Sequence, residues 1–551
     1  MRILLLCHSF NSLAQRVYVD LAARGHDLSV EFDIRDSVTE EAVALFAPDL
    51  VVAPFLKRAI PESVWRRVPC LVIHPGPPGD RGPSSLDRAI LAGRSDWGVT
   101  ILQANAEFDG GPIWASQPFA LRPASKGSLY RREMTEAAIV ALIEAIGRIE
   151  AGERPRPAPP GPLRPALRQA ERAIDWQADD TETVLRKIRS ADGAPGVADR
   201  IEGHDYFLFD ALPADLAGPP GALLARAGDR VARATRDGAV WIGHLKPPGP
   251  ESLKLPALRH LDQAASLPDL GFHDIGYQER GAVGLLSFPF HNGAMSTDQC
   301  RRLGDAFRAA TRRPVKVILL QGGPDYWSNG IHLAAIEAAP SPADESWANI
   351  NAIDDLAESI LTATDQLVLA AIAGNAGAGG VFLALAADRV LAKPGVVLNP
   401  HYKGMGNLYG SEYWTYRLPK RTDSTQASRI LEARLPMGAH EAKALGLVDE
   451  VPEGDFEKAA LGAAQALAEA PDFAARLAAK RATRLADEAQ KPLAAYRADE
   501  LERMKLNFYG FDPSYHVARY NFMFKVPKSR TPLYLARHRH GTLGARKADA
   551  T

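Results

Sequence analysis

Hydrophobic positions change their spacing several times near the start of the chain. Short continuous apolar runs, typical of buried strands, alternate with stretches whose apolar residues recur about every 3.6 residues, as on amphipathic helices. The pattern predicts strand, helix, strand, helix and strand at residues 3–7, 13–24, 28–32, 40–46 and 50–53. Such alternation is typical of a Rossmann-like α/β domain, although no GxGxxG motif follows the first strand to indicate nucleotide binding.

Two proline-rich segments, residues 152–165 and 247–250, interrupt this pattern. We expect the first to be a semi-rigid linker, and the second leads to a new domain near Leu270. Between them, a predicted helix from Thr181 is accompanied by short β-like runs, which favour a small, OB-like β-barrel. These runs lie at residues 173–176, 206–209, 222–225, 230–234 and 239–242.

The pattern after residue 270 predicts a further α/β domain. Ser296 and Gln299 are placed to form a capping box for a helix that ends near residue 311. Buried strands are expected at 315–320 and 367–373, and the second leads into a glycine-rich loop and an apolar helix. The segment after residue 455 is typical of helices at first and then becomes aromatic and basic.

Composition excludes several classes of protein. The chain has 551 residues, of which 46% are hydrophobic and 24% charged, as in ordinary globular proteins. Its net charge of −1 gives no overall field to attract nucleic acid or an anionic membrane. Three widely separated cysteines without a CxxC pair indicate a reducing, cytoplasmic location and argue against a metal site. No apolar stretch is long enough for a signal peptide or a membrane span.

Two candidate catalytic residues follow predicted strands in the first domain. His74 ends a short β-branched run before a Pro/Gly loop, and Asp109 comes shortly after a second run. Ser84 or Ser85 can cap the helix that follows the loop. Open α/β sheets bind ligands at strand ends, and a carboxylate beside an imidazole suits the pair to acid–base chemistry.

This segment resembles the folate-dependent formyltransferases, which have a histidine in a Pro/Gly/Arg-Gly loop and a later Asp-x-Gly. The matching residues are His74, Arg81, Gly82, Val99, Thr100, Ile101, Asp109, Gly110 and Gly111. The resemblance implies 10-formyltetrahydrofolate as formyl donor, catalysis by His74 and Asp109, and a folate-site loop that includes Arg81, Gly82 and Gly110. Val72 replaces an asparagine that helps to hold the oxyanion in those enzymes. The chain therefore uses another donor, transfers more slowly, or catalyses another reaction.

Ile174, Asp175 and Trp176, with the short strands after them, resemble the barrel at the end of methionyl-tRNA formyltransferases. That barrel helps to hold tRNA. Because no basic stripe is present here, we expect a spacer or a docking surface instead.

Residues 280–455 resemble the crotonase (enoyl-CoA hydratase/isomerase) family. Three separated segments, 329–333, 371–392 and 437–451, agree with it in order. The resemblance implies coenzyme A binding and a thioester carbonyl held by the amides of Ile331 and Gly379, with Gly380 beside them. Preorganised amide donors of this kind stabilise developing oxyanions.

The two glutamates of the hydratases are replaced by Phe382 and His401, so the resemblance does not extend to water addition. Other titratable residues in the matching segment are His401, Tyr402, Tyr409 and Glu412. Tyr402 and Glu412 are the candidates for an acid and a base in an apolar pocket, where burial raises the pKa of a carboxyl group. The alternative is that both merely line a surface loop.

A formyltransferase-like half followed by a crotonase-like half resembles the HypX/HoxX family of NiFe-hydrogenase maturation factors. The resemblance implies formyl transfer to coenzyme A, decarbonylation of formyl-CoA to carbon monoxide, and hydrogenase maturation proteins as partners. Three alternatives remain: a tRNA formyltransferase, a formyl-CoA hydrolase that yields formate, and a non-catalytic CoA-binding scaffold.

The sequence thus predicts an α/β multidomain protein without a metal site. Its regions are a Rossmann-like formyltransferase domain (1–160), a small β-barrel (166–265), a crotonase-like CoA domain (271–455) and a C-terminal helical extension (456–551).

Overall fold

The alternating pattern at the start of the chain forms a six-stranded sheet. In the computed structural model, which describes residues 1–271 and 274–540, its strands are β1 (Arg2–Cys7), β2 (Asp27–Phe32), β3 (Leu50–Phe55), β4 (Cys70–His74), β5 (Asp96–Gln103) and β6 (Ile113–Ala120). The helices are α1 (Ser12–Ala23), α2 (Asp36–Phe46), α3 (Glu62–Trp65), α4 (Ser85–Leu91), α5 (Lys126–Leu129) and α6 (Thr135–Glu150). The strand order is β2-β1-β3-β4-β5-β6, with β1–β4 parallel and β5 and β6 antiparallel. The predicted α/β class is confirmed.

The apolar run of β1 explains where this sheet forms. Leu4 and Leu6 share one buried cluster with Val43 and Phe46 of α2. Burial of each such side chain stabilises the fold by about 1.5–3 kcal/mol. The apolar faces of β1 and α2 therefore pack against each other, which places this helix against the sheet.

The edge of this sheet at β2 is covered by residues from the far end of the chain. Val30 donates its backbone N–H to Leu535 at 3.0 Å, and Phe32 donates to the Thr531 hydroxyl at 2.7 Å. Covering an edge strand removes its unpaired N–H and C=O groups from contact with other chains. Accordingly, the chain divides into two compact units, residues 1–272 with 528–551, and residues 273–527. Residues 541–551, the end of the predicted helical extension, lie outside the described residues.

Helix α7 (Thr181–Ala191) accompanies a second, antiparallel sheet within the first unit. Its strands are β7 (Val197–Ile201), β8 (His204–Ala214), β9 (Leu223–Ala227), β10 (Arg230–Ala234), β11 (Ala239–Lys246) and β12 (Leu255–Pro256). They pair in the order β7-β8-β11-β10-β9, with β12 beside β11. Four of the five predicted runs are strands; the closure of this sheet into an OB-like barrel stays a prediction.

The predicted strand at residues 173–176 is wrong. The chain turns there because Asp175 accepts backbone N–H groups from Gln177 through its side chain (3.0 Å) and from Asp179 through its carbonyl (2.8 Å). Such local bonds replace a strand ladder. Trp176 is nevertheless buried in the core of this sheet.

The second unit contains two sheets. The larger has the order β13 (Gly276–Arg280), β14 (Val283–Ser287), β15 (Val317–Gln321), β17 (Leu367–Ile372) and β19 (Arg389–Ala392). The smaller has the order β16 (Tyr326–Ser328), β18 (Asn375–Gly377), β20 (Val397–Asn399) and β21 (Met437–Gly438). Its helices up to residue 444 are α8 (Thr297–Thr311), α9 (Leu333–Glu337), α10 (Pro342–Leu361), α11 (Gly379–Leu385), α12 (Trp414–Arg421), α13 (Ser424–Ala433) and α14 (Ala439–Ala444). The capping box of Ser296 and Gln299 is confirmed at the start of α8.

Four further helices follow in the second unit. They are α15 (Phe456–Glu469), α16 (Phe473–Gln490), α17 (Leu493–Tyr509) and α18 (Ser514–Met523). Met504 and Phe508 of α17 belong to the main hydrophobic cluster of this unit, so α17 is part of its core. Among the helices in residues 1–271 and 274–540, none combines the length and hydropathy needed to cross a membrane.

Candidate functional site

His74 lies between two carboxyl groups in the first unit. The residue ends β4, and its side chain is only 4% exposed. Its Nδ1 lies 3.6 Å from Oδ2 of Asp109, and its Nε2 lies 3.0 Å from Oδ2 of Asp80. The structure therefore brings the two predicted residues together and adds a third that the sequence analysis missed. Asp80 could have been found in the sequence, because it lies six residues after His74, in the loop that follows the strand.

Asp109 reaches His74 by a different route from the one expected. Because β5 runs antiparallel to β4, with Leu71 opposite Gln103, the carboxyl end of β5 lies far from His74. The loop between β5 and β6 brings the carboxylate back instead. Gly82 then donates its backbone N–H to Oδ2 of Asp109 at 3.0 Å, which ties this loop to the one after His74.

Asp80 is held on the opposite side of the imidazole. A side chain on Gly76 would overlap Oδ2 of Asp80 and come within 2.6 Å of Nε2 of His74 and 2.7 Å of the Ser85 hydroxyl, so glycine permits this close convergence. Burial, the largest influence, tends to raise the pKa of Asp80, but the hydrogen bond from His74 and the nearby Ser85 hydroxyl hold it below its ordinary value. Asp80 is thus a carboxylate that fixes one nitrogen of the imidazole.

A cavity of about 510 Å³ opens beside these groups. His74, Asp109, Gly82 and Val72 line it, so Val72 occupies the wall where the formyltransferases have asparagine. The predicted loop residues Arg81 and Gly110 lie next to Asp109: Arg81 donates through Nε to the carbonyl of Phe108 at 3.2 Å, and a side chain on Gly110 would contact the Arg81 guanidinium.

The expected capping role of Ser84 or Ser85 is wrong. Ser84 precedes α4 in the left-handed region, with φ of 64°, and its side chain forms no capping hydrogen bond. Ser85 instead donates to the carbonyl of Pro75 at 2.7 Å. Ser85 therefore stabilises the loop after His74, whereas the Ser84 hydroxyl accepts the Leu167 N–H at 3.3 Å.

In the second unit, the loop before Ile331 lies against the start of α11. A side chain on Gly330 would come within 3.3 Å of the Gly379 nitrogen, and one on Gly380 would overlap the Ser328 carbonyl. The Gly380 carbonyl accepts a hydrogen bond from Nε1 of Trp327 at 2.9 Å. The structure thus brings the segments of Ile331, Gly379 and Gly380 together, as the resemblance implies.

Tyr402 and Glu412 form a buried pair at the same place. The Tyr402 hydroxyl lies 2.5 Å from Oε2 of Glu412 and 2.9 Å from the carbonyl of Ser411. A side chain on Gly379 would overlap Oε1 of Glu412. The surface-loop alternative is excluded, because the two side chains are buried and adjoin the glycine loop.

Burial raises the pKa of Glu412 to about 8, and the negative charge of Asp354 adds to this effect. Burial, reinforced by Glu412, also raises the pKa of Tyr402. The Tyr402 ring stacks on Phe382, with centroids 5.1 Å apart. Phe382, one of the two replacements for hydratase glutamates, therefore supports Tyr402.

The other two titratable candidates differ from this pair in their surroundings. Burial, aided by Arg434, lowers the pKa of His401 to about 4, so its imidazole is uncharged at neutral pH. Tyr409 is 36% exposed and its ring faces Trp414. The geometry therefore favours Tyr402 and Glu412 over His401 and Tyr409.

Three protein-family models match segments of this chain. Residues 25–146 match "Formyl transferase", residues 166–258 match "Formyl transferase, C-terminal domain", and residues 282–507 match "Enoyl-CoA hydratase/isomerase". The chain therefore has formyltransferase and crotonase-like parts, as its sequence predicted.

Several known proteins are similar to this chain. The hydrogenase maturation factor HoxX of Bradyrhizobium diazoefficiens is 59% identical over 551 residues, covering 98% of this chain and 97% of the relative. A methionyl-tRNA formyltransferase of Aromatoleum aromaticum is 28% identical over 239 residues, 42% of this chain and 75% of that enzyme. The crystal structure of HypX from Aquifex aeolicus in complex with tetrahydrofolic acid has a TM-score of 0.95 and 46% identity, covering 98% of this chain and 99% of that one. Similarity along the whole chain shows that it belongs to the HypX/HoxX family of hydrogenase maturation factors.

Proposed function

We propose that this chain makes carbon monoxide for the NiFe-hydrogenase active site. It transfers a formyl group from 10-formyltetrahydrofolate to coenzyme A and then splits formyl-CoA into carbon monoxide and coenzyme A. The observation that carries the proposal is the buried Tyr402–Glu412 pair beside Gly379, in a chain that also has a formyltransferase part. The first reaction makes the compound that the second consumes.

The cavity beside His74 is proposed to bind the folate. Its volume of about 510 Å³ lies within the range of roughly 300–1,000 Å³ that small-molecule sites occupy. The similar Aquifex protein has been crystallised with tetrahydrofolic acid, which supports a folate here. Arg81, Gly82 and Gly110 then belong to the loop beside the folate.

Formyl transfer breaks one bond to the formyl carbon and makes another. The sulfur of coenzyme A attacks the formyl carbon, and the bond from that carbon to N10 breaks. The thiol gives up one proton and N10 gains one, so a single group that takes and returns a proton completes the exchange. His74 has this role, with Asp109 and the Gly82 N–H positioning the loop around the intermediate.

Decarbonylation requires a proton to move from the formyl carbon to sulfur. The C–S and C–H bonds break, an S–H bond forms, and carbon monoxide leaves. Glu412 and Tyr402 transfer this proton. In one assignment, Glu412 accepts it from the formyl carbon and Tyr402 protonates the sulfur. In the other, Tyr402 accepts the formyl proton and Glu412 protonates the sulfur. The amides of Ile331 and Gly379 hold the formyl oxygen, and Gly380 belongs to the CoA-binding loop.

Product analysis by mass spectrometry tests the two-step scheme. The purified chain is given 10-formyltetrahydrofolate and coenzyme A. Glu412→Gln should accumulate formyl-CoA, whereas His74→Ala should form none while still binding coenzyme A. Formate as the main product would indicate a hydrolase. Formyl-CoA made by His74→Ala at the parent rate would place the first site elsewhere. Absence of both products in the parent would favour the scaffold.

A further inference from the structure

Three buried carboxyl groups meet at the loop that carries Glu412. The other two are Asp354 of α10 and Glu500 of α17, both inaccessible to solvent. The Ser411 hydroxyl lies 2.7 Å from Oδ2 of Asp354 and 3.2 Å from Oε2 of Glu500. Neither Asp354 nor Glu500 has a part in the chemistry proposed above.

Asp354 and Glu500 hold this loop in an unfavourable backbone conformation. Glu412 and Tyr413 both have φ of 60°, in the left-handed region, which is unfavourable for non-glycine residues. Oδ1 of Asp354 accepts the Glu412 N–H at 2.8 Å, and Oε2 of Glu500 accepts the Tyr413 N–H at 3.0 Å. These bonds offset the strain and direct the Glu412 side chain to Gly379.

The hydrogen bonds of Tyr402 are compatible with a proton on Glu412. Its hydroxyl has one proton and lies within hydrogen-bond distance of both the Ser411 carbonyl and the Glu412 carboxyl. A carbonyl can only accept. When Tyr402 donates to Ser411, the proton of the 2.5 Å contact comes from Glu412, so this network accommodates a neutral Glu412.

The distribution of donors agrees with this assignment. Glu500 also accepts the N–H and hydroxyl of Thr415, at 2.8 and 2.5 Å. Nε of Arg497 lies 4.0 Å from Oδ2 of Asp354. From the part of the chain that the structure describes, Glu412 receives only the Ser411 N–H, at 3.2 Å, besides its contact with Tyr402. Burial raises the pKa of all three carboxyl groups, to about 7 for Asp354 and to about 8 for Glu500 and Glu412. Donors favour the charged form of a carboxyl group, so the larger number of donors at Asp354 and Glu500 makes these two the anions and Glu412 the neutral acid.

Within residues 1–271 and 274–540, no Lys or Arg side chain hydrogen-bonds to the Glu412 carboxyl group. Besides Asp354, Glu500 and Tyr402, the Cys300 thiol of α8 faces it, and burial raises the pKa of that thiol well above its ordinary value. Arg497 is engaged with Asp355 at 2.7 Å and Glu358 at 3.1 Å. The charges that act on Glu412 are therefore mainly those of Asp354 and Glu500.

We propose that Asp354 and Glu500 are positioning residues that keep Glu412 neutral, with its proton available beside Gly379. The proposal rests on the proposed function and replaces its two assignments with a third, in which Glu412 is first the acid and then the base. Glu412 gives its proton to sulfur as the C–S bond breaks, and the resulting carboxylate takes the formyl proton as carbon monoxide leaves. One carboxyl group thus ends the cycle in its starting form.

Infrared difference spectroscopy on the full chain without substrate tests this proposal. The C=O stretch of a protonated carboxyl, assigned by its loss in Glu412→Gln, should be present at neutral pH and disappear as pH rises. In Asp354→Asn and in Glu500→Gln, its midpoint should fall by roughly one pH unit, because a like charge is removed. Glu502→Gln, an exposed change on the same helix, should leave the midpoint unchanged.

Two results would overturn the proposal. One is the absence of the Glu412 band at neutral pH; the other is an unchanged midpoint in both variants, with circular dichroism showing that each is folded. Since no substrate is present, these results are distinct from a failure to make carbon monoxide, which would contradict the proposed function instead.

Discussion

Nε2 of His74 lies 3.0 Å from Oδ2 of Asp80. Because a carboxylate can only accept, this contact places a proton on Nε2 and leaves Nδ1 as the nitrogen nearer Asp109. Asparagine at position 80 can donate to Nε2 instead and stabilise the other tautomer. We therefore expect Asp80→Asn to slow formyl-CoA formation by roughly a hundredfold, measured by mass spectrometry.

Asp96→Asn is the matched control for this change, since Asp96 is an exposed residue of the same sheet. It should retain the parent rate. A parent-like rate in Asp80→Asn would mean that Asp109 alone orients His74.

Gly379 leaves room for the Glu412 carboxyl, because an added Cβ would overlap Oε1 of that side chain. We expect Gly379→Ala to displace Glu412 and lower carbon monoxide release by roughly a hundredfold or more. Gly462→Ala is the control, because nothing lies within 4 Å of a Cβ at that position. A Gly379→Ala chain that releases carbon monoxide at the parent rate would show that the carboxyl position does not matter.

The second unit should bind coenzyme A through the loop that contains Gly379. Tryptophan at this position would fill the space between the loop and Glu412. Isothermal calorimetry should detect binding to the parent and to Gly462→Trp, but none to Gly379→Trp. Unchanged affinity in Gly379→Trp would remove the CoA assignment from this loop.

The release of carbon monoxide from added formyl-CoA should depend on pH. Burial and the Asp354 charge raise the pKa of Glu412 from 4.5 to about 8, so its acid form persists up to that pH. If the acid is the active form, the rate is constant near neutral pH and falls about tenfold per pH unit above pH 8. A rate that rises with pH through this range would make the carboxylate the active form.

The elements of the first unit could be predicted because their apolar spacing is set by the surfaces they bury. The direction of β5 could not be predicted, since a short apolar run has the same pattern in a parallel and an antiparallel strand. Asp109 was therefore identified by a motif. The expectation that it approaches His74 from the end of its strand was wrong.

Asp354 and Glu500 illustrate a second limit. Each lies on a helix, α10 or α17, among other charged residues. In sequence, a buried carboxyl on such a helix cannot be distinguished from one that faces solvent. Only the fold shows that both accept hydrogen bonds from the loop around Glu412. Tyr402 and Glu412 could be proposed from sequence because the resemblance limited the search to one segment.

The most direct test of the central claim is a single reaction that traps carbon monoxide. Purified chain, 10-formyltetrahydrofolate and coenzyme A are mixed with reduced haemoglobin, whose spectrum reports bound carbon monoxide. The parent should shift the spectrum to the carbonyl form, and Glu412→Gln and Tyr402→Phe should slow this shift by roughly a hundred- to ten-thousandfold. Tyr409→Phe, at the exposed tyrosine of the same segment, should match the parent. Formate without carbon monoxide from the parent, or equal carbon monoxide from Glu412→Gln and Tyr402→Phe, would contradict the account.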